Sequence, residues 1–309
     1  MAKVPVTLGN AGYLVKINAK LVLMMTYYRR HFIRQVILAA AAGIMSPSYL
    51  AGKPAGGKLP AIGFISGIVN NFLKEDWKGT LAAIADMGYT EMEGGWNLGG
   101  SPAEMTAFCK SIGLRPFAGG MGLTQMLDQT GTHIDKALEC GNEYLVCYWP
   151  WLDGATNITA GQCRQSADIL NKLGEMCKKS GIKFCWHNHD KEFLKDTGEG
   201  LPFELLMQNT DPELVSVELD IYWVKKGGAD PLAMLKKYPG RYSILHVKDM
   251  NNEAEKDFAC PGTGIIDFGP LFREAIRQGI AHFIVERDGE TDGIRSLQNS
   301  AQYLTNLSF

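Results

Sequence analysis

From Leu59 onward the chain alternates two kinds of hydrophobic pattern. Short runs rich in β-branched and aromatic residues (LPAIGFIS, YTEMEGG, LRPFAGG, EYLVCYWPW, IKFCWH, VSVELD, YSILHVKD and HFIVERD) take turns with stretches whose apolar residues return every three or four positions. WKGTLAAIADMG, GTHIDKALECG, LPFELLMQN, PLAMLKKY and PLFREAIRQG are examples of the second kind. The first pattern predicts buried strands and the second helices with one apolar face. Cap chemistry marks the boundaries. Ser101-Pro102-Ala103-Glu104 forms a capping box with proline at the first helical position, and Gly88, Gly113 and Gly181 stop the helices before them. Between Ala160 and Ser180 the residues Ile169, Leu170, Leu173 and Cys177 make one apolar stripe, and a last helix is predicted from Asp292 to Asn306.

Eight strands, each followed by a helical segment, in about 250 residues is the count of a (β/α)8 barrel of the TIM type. Residues 58–309 are therefore expected to be one such α/β domain. An open doubly wound sheet is the alternative, and it lacks its signature. No GxGxxG follows the first strand, and the glycine pairs Gly94-Gly95 and Gly99-Gly100 come after the second without phosphate-loop spacing.

Residues 1–57 are patterned differently. A basic patch at Arg29-Arg30-His31-Phe32-Ile33-Arg34 precedes an apolar run from Val36 to Met45, then small residues, Pro and Gly. The run is short for a membrane span and suits the central region of an export signal. The basic patch resembles the twin-arginine pattern, which directs folded proteins across the bacterial inner membrane. Cleavage is expected between Ala51 and Ala55, with the start at Met1 or at Met24 or Met25, and the mature protein in the periplasm; a cytoplasmic protein is the alternative. No Cys follows the apolar run before Cys109, so neither a lipid anchor nor a stable membrane anchor is expected.

Composition narrows the classes further. A hydrophobic fraction of 46% with 21% charged residues describes a soluble globular chain with ample core, and a net charge of -2 gives no electrostatic case for nucleic acid or an anionic membrane. The seven Cys form no CxxC pair and sit within strand-like and helix-like patterns, as small buried hydrophobes do.

In a barrel of this kind, function is carried at the carboxyl ends of the strands. The stretch IKFCWHNHDKEF leaves its apolar run through His187, Asn188, His189, Asp190 and Glu192, an unusual ending for a strand. With a period of two, His187 and His189 share a face. The second strand ends in Glu91 and Glu93, the sixth in Glu218 and Asp220, the seventh in His246 and Lys248, and the eighth in Glu286 and Asp288. Buried and unpaired, such groups would be costly, and a shared divalent cation removes that cost. We assign His187, Asp220, His246 and Glu286 as ligands of one Mn²⁺, Fe²⁺, Co²⁺ or Zn²⁺ ion, a mixed N/O set. Glu218 is left outside the set, and Asp249 and Asp288 are read as caps of the loops that follow. Trp96, Trp149, Trp151, Trp186 and Trp223 fall at or just past strand ends, where aromatics stack on sugar rings. Glu93, Trp151 and Trp223 are expected to contact substrate. Gly262-Thr263-Gly264 is read as a turn before the next helix that could also lie over substrate. Without a Lys or Arg cluster beside it, an unphosphorylated ligand is expected.

HNHDKEF, LDIYWVKKGGADPLAMLKKYPGRYSILHVKD, PGTGIIDFGPLF and FIVERD together resemble the xylose isomerase-like barrels known as sugar phosphate isomerases/epimerases, with the inosose dehydratases closest in pattern. The resemblance runs from about Ile62 to Leu304. It implies a TIM barrel holding one divalent metal and acting on sugars or cyclitols that carry a carbonyl. Asp220, His246 and Glu286 match the family's ligands. At the end of the fifth strand, where many ketose epimerases of the family place a ligand-and-base glutamate, this chain has His187. The symmetrical two-glutamate mechanism therefore loses a member. Glu286, His189 and Lys248 remain to move protons, an asymmetry that suits dehydration or β-elimination through an enediolate. Two other readings compete. An endonuclease IV-like repair enzyme needs more ligands and a basic face, which the charge balance opposes; a sugar-binding barrel without chemistry would have no use for the four ligands. A carbohydrate is the expected partner, nucleic acid is not, and a homo-oligomer is compatible with the sequence.

Overall fold

The computed structural model describes residues 57–152, 157–289 and 292–309. The predicted export signal lies outside the described residues. Among them, no helix is long and apolar enough to cross a membrane.

Eight parallel strands close into a barrel in sequential order. They are β1 (Gly63–Ile65), β2 (Glu91–Glu93), β3 (Arg115–Gly122), β4 (Tyr144–Trp149), β5 (Lys183–His187), β6 (Ser216–Asp220), β7 (Tyr242–Val247) and, after a small antiparallel pair β8 (Asp249–Met250) and β9 (Phe258–Ala259), β10 (His282–Val285). β10 is thus the eighth barrel strand and pairs with both β7 and β1. The strands are short. In a barrel wrapped by helices both faces are buried, so each strand reads as an apolar run.

The local chemistry explains where the helices start and stop. Ser101 accepts a hydrogen bond from the Glu104 amide, with Pro102 opening the helix Pro102–Ser111. Thr159 and Gln162 cap each other's backbone at the head of Ala160–Ser180, and Gly181 ends it in the left-handed conformation at φ 80°. The antiparallel pair β8–β9 and the helix Leu123–Asp128 carry too little periodicity to be predicted.

The core has two layers. Phe117, Ala118, Tyr144, Val146, Cys185, Ile244 and Ile284 fill the barrel, while a larger set, including Phe64, Trp186, Phe203 and Phe283, packs between strands and helices. Trp186 is fully buried against Phe203, which removes it from the sugar-contacting aromatics expected above. The cysteines are free thiols, six of them buried, as expected.

One strand-end reading is corrected. Glu91 begins β2 instead of ending it and pairs with Arg115 and His282 at the opposite mouth of the barrel from Glu93. Glu143 joins Arg115 and Lys183 in the same bottom network. With strands this short, two residues of offset separate a stabilising plug from the functional end.

Candidate active site

Strand register assembles the site. His187 stands beside Glu218 across β5–β6, and Asp220 beside His246 across β6–β7. Because alternate residues share a face, Glu218 and Asp220 both point inward. Glu218 thus stands beside the four expected ligands, in a second group with Glu93 and His246. Ligand atoms of His187, Asp220, His246 and Glu286 lie within 4.8 Å of one another, and Glu93, Glu218 and His246 form a second such group.

The two imidazoles have opposite surroundings. His246 Nε2 lies 3.0 Å from Glu93 Oε2 and 3.2 Å from Glu218 Oε1, while its Nδ1 lies 2.9 Å from Glu286 Oε2. Burial pulls its pKa down, but the carboxylates of Glu218 and Glu93 outweigh burial and raise it well above the usual value. His187 Nδ1 lies 2.9 Å from Glu218 Oε2, and its Nε2 is 3.8 Å from Asp220 Oδ2. Burial, followed by the nearby charge of His246, holds His187 well below the usual range and keeps it neutral.

Lys248 is fully buried and ties the acids together. Its Nζ lies 3.1 Å from Asp220 Oδ2, 2.8 Å from Glu286 Oε2 and 2.7 Å from Asp288 Oδ2. The Trp223 ring sits under it, 5.1 Å to the centroid. Burial opposes its charge, but Asp220 and Glu286 more than restore it, so Lys248 is a permanent cation and not a base. Asp288 is thus a partner of Lys248 as well as a loop residue. The same cation, with His246, outweighs burial at Glu286 and holds that carboxylate well below its ordinary value.

His189 is the neutral counterpart. It is packed 5.1 Å from Trp149, 5.3 Å from Trp223 and 4.9 Å from His187, centroid to centroid. Burial, then Lys248, lowers its pKa to about 4. Its position is fixed from behind by Glu192, which accepts from the His189 amide at 2.9 Å and from Trp151 Nε1 at 2.8 Å. Trp151 is accordingly a buried support of the His189 loop, while Trp223 faces the cluster. The Asn188 side-chain amide accepts from the Asp220 backbone N–H at 2.9 Å and donates to the Asp220 carbonyl at 3.4 Å, joining the ends of β5 and β6.

The residues fit a divalent cation by their charge. Three buried carboxylates (Glu93, Glu218 and Asp220) and the partly buried Glu286 outnumber one ammonium and one imidazolium. Burial and mutual repulsion push Glu218 up to about 8, with Glu93 the main repelling charge, and Asp220 up to about 6. Such carboxylates hold protons where a cation would otherwise sit. Glu93 Oε1 and His189 Nδ1 are buried without a hydrogen-bond partner. Glu93, expected to touch substrate, is placed among these acids.

The glycine loop is anchored away from this cluster. Asp249 is buried and accepts from the amides of Gly262, Gly264 and Ile266 at 2.9 to 3.1 Å, and Gly262 is packed on the Tyr303 ring. A cavity of about 660 Å³ lies beside the cluster and over the ends of β1 to β4. Tyr148 lines it, 6.4 Å from His187 between ring centroids.

Fold and cluster together define a (β/α)8 barrel with a candidate metal centre at its carboxyl mouth. The chain belongs to the xylose isomerase-like TIM barrel family, whose pattern residues 81–307 match. Over 140 residues it is 31% identical to an inosose dehydratase of Clostridium perfringens, a match that takes in 40% of this chain and 46% of that protein. The chain spans about half the length of the curated relatives it matches. Solved structures share the fold over most of the chain. A sugar phosphate isomerase/epimerase of Parabacteroides distasonis superposes with a TM-score of 0.66 at 24% identity, covering 85% of this chain and 98% of that one. The 3-keto-D-glucoside 4-epimerase YcjR of E. coli gives 0.63 at 18%, covering 80% and 99%. IolI with a bound zinc atom gives 0.62 at 14%, covering 79% and 96%.

Proposed function

We propose that this chain is a divalent-metal-dependent isomerase, epimerase or lyase acting on a keto-sugar, an oxidised glycoside or a cyclitol. The observation that carries the reading is the meeting of His187, Asp220, His246 and Glu286 at one point, with a neutral imidazole and a buried ammonium beside it. The names of the relatives, inosose dehydratase and 3-keto-D-glucoside 4-epimerase, support a carbonyl-bearing sugar or cyclitol as substrate. IolI with zinc supports the metal.

His187, Asp220, His246 and Glu286 would hold the ion, with Glu93 and Glu218 behind them. When bound, it would act as a Lewis acid toward oxygens of the substrate and stabilise the charge of an enediolate. His189, neutral at pH 7, takes the proton from the carbon next to the carbonyl and becomes imidazolium. The electron pair of that C–H bond passes into the enediolate. Lys248, held charged by Asp220 and Glu286, stabilises the developing negative oxygen, and the His189 imidazolium passes its proton to a departing hydroxyl. Loss of that hydroxyl as water completes a dehydration; return of the proton to the carbon completes an isomerisation or epimerisation. An imidazole at position 187 leaves the site without a carboxylate base at the end of β5, and this favours elimination. We further propose that the N-terminal twin-arginine-like segment exports the folded barrel, which fractionation of a tagged full-length chain would test.

Incubation in D₂O with an inosose and with a methyl 3-ketoglucoside, each with Mn²⁺, Co²⁺, Fe²⁺ or Zn²⁺, tests the enzymatic reading by NMR. Deuterium at the α-carbon, with epimer or dehydrated product, is expected for at least one substrate. No exchange and no product with any pair would remove the proposal.

A further inference from the structure

The four candidate ligands occupy one half of the barrel mouth, joined by Glu93 from β2, and a cavity of about 660 Å³ opens over the other half. His187, Asp220, His246 and Glu286 come from β5, β6, β7 and the end of β10, whereas the 660 Å³ cavity lies over β1 to β4. Beneath it the strand ends are glycine-rich and closely packed. β3 ends in Gly119, Gly120 and Gly122, and β2 runs into Gly94-Gly95. At Gly120 even a Cβ would come within 1.7 Å of the Val146 carbonyl. The volume lies in the range of roughly 300–1,000 Å³ typical of small-molecule sites. It is several times what one six-membered ring fills.

The walls have the chemistry of sugar recognition. Trp96 is held rigidly, its Nε1 donating to Asn142 Oδ1 at 2.7 Å and its ring packed on Gly119. Asn97, Gln125, Asp128 and His133 offer donors and acceptors around the rim, and no Lys or Arg is among the described lining residues. Planar polar groups beside an aromatic suit the vicinal hydroxyls and apolar face of a neutral sugar, and nothing there matches a phosphate. Tyr148 joins the two halves. It lines the cavity and stands against His187, and its buried hydroxyl faces the carboxylates of Glu93 and Glu218.

From this division we infer that the cavity is a subsite for a second, uncharged sugar ring, so that the substrate is a glycoside of at least two units with its oxidised ring at the ion-binding cluster. The inference rests on the proposed function and specifies its substrate class. A single ring bound at the cluster leaves the cavity unfilled; a second ring linked to it reaches Trp96 and the polar rim.

Calorimetric titration of the metal-loaded protein tests it, with 3-keto-cellobiose and 3-keto-maltose as probes, each against the methyl 3-ketoglucoside of the same anomeric form. At least one disaccharide is expected to bind about tenfold more tightly than its methyl counterpart. The Asn97→Ala/Asp128→Ala double variant changes two exposed side chains, so the fold is unaffected. It is expected to remove that advantage and leave the methyl glycoside's affinity unchanged. If neither disaccharide gains over its methyl glycoside, or if the double variant weakens both ligand types equally, the subsite is overturned while the proposed function stands. If no probe binds at all, the keto-sugar reading falls and the subsite falls with it.

Discussion

Replacing Glu192 by glutamine would test how the His189 loop is held. Glu192 is fully buried, and burial raises its pKa from 4.5 to about 7 despite the hydrogen bonds from Trp151 and the His189 amide. Because the folded-state value lies above the unfolded one, the folded protein holds the extra proton between those two values. The sign follows: stability falls as pH rises through the window from 4.5 to 7, and above it the full cost is present. At about 1.4 kcal/mol per unit, the part of that window between pH 5 and pH 8 comes to about 2 to 3 kcal/mol. Glutamine cannot ionise, so the Glu192→Gln variant escapes this term. It leaves one of the two donors, Trp151 Nε1 or the His189 amide, without an acceptor, at about 1 to 2 kcal/mol independent of pH. Urea unfolding of both proteins at pH 5 and pH 8 isolates the titration from that constant loss. The stability of the variant relative to the parent should rise by about 2 to 3 kcal/mol from the lower to the higher pH. A difference that stays constant would mean that Glu192 is ionised throughout, and the burial argument would be refuted.

Three further outcomes are expected. Lys248→Met removes the ammonium between Asp220 and Glu286 and should cost about 3 to 5 kcal/mol in urea unfolding with EDTA, with part of the loss regained when a divalent ion is added; a change below about 1 kcal/mol would show that the acids do not need that charge. Gly120→Ala drives a methyl group into the Val146 carbonyl and should lower stability by about 3 kcal/mol or more, read as a fall in Tm, whereas an unchanged Tm would mean that β3 and β4 can separate freely. His189→Gln should lower kcat on whichever substrate proves active by about 100-fold or more with metal content unchanged; equal activity would take the proton transfer away from His189.

Much of the architecture could be read from sequence because apolar runs that end abruptly in His, Asp, Glu and Lys mark buried strands whose carboxyl ends carry function. SILHVKD and HFIVERD announce both a buried strand and the polar residues at its end, and the structure places His246, Lys248 and Glu286 together there. Glu218 was legible too, since it stands two residues before Asp220 and must share its face. Glu91 was not, because the sequence does not show that β2 has only three residues and that Glu91 is the first of them. The partners of Trp151 and Glu192 are 41 residues apart, and Trp96 meets Asn142 across 46. No local pattern encodes such pairings.

Metal analysis of the purified protein beside His246→Ala tests the central claim most directly. His246 touches Glu93, Glu218 and Glu286 at once, so its removal dismantles the site from the centre. Near one equivalent of Mn, Fe, Co or Zn in the parent, lost in the variant, is the predicted result. A parent that retains no ion after incubation with each of the four would contradict the account.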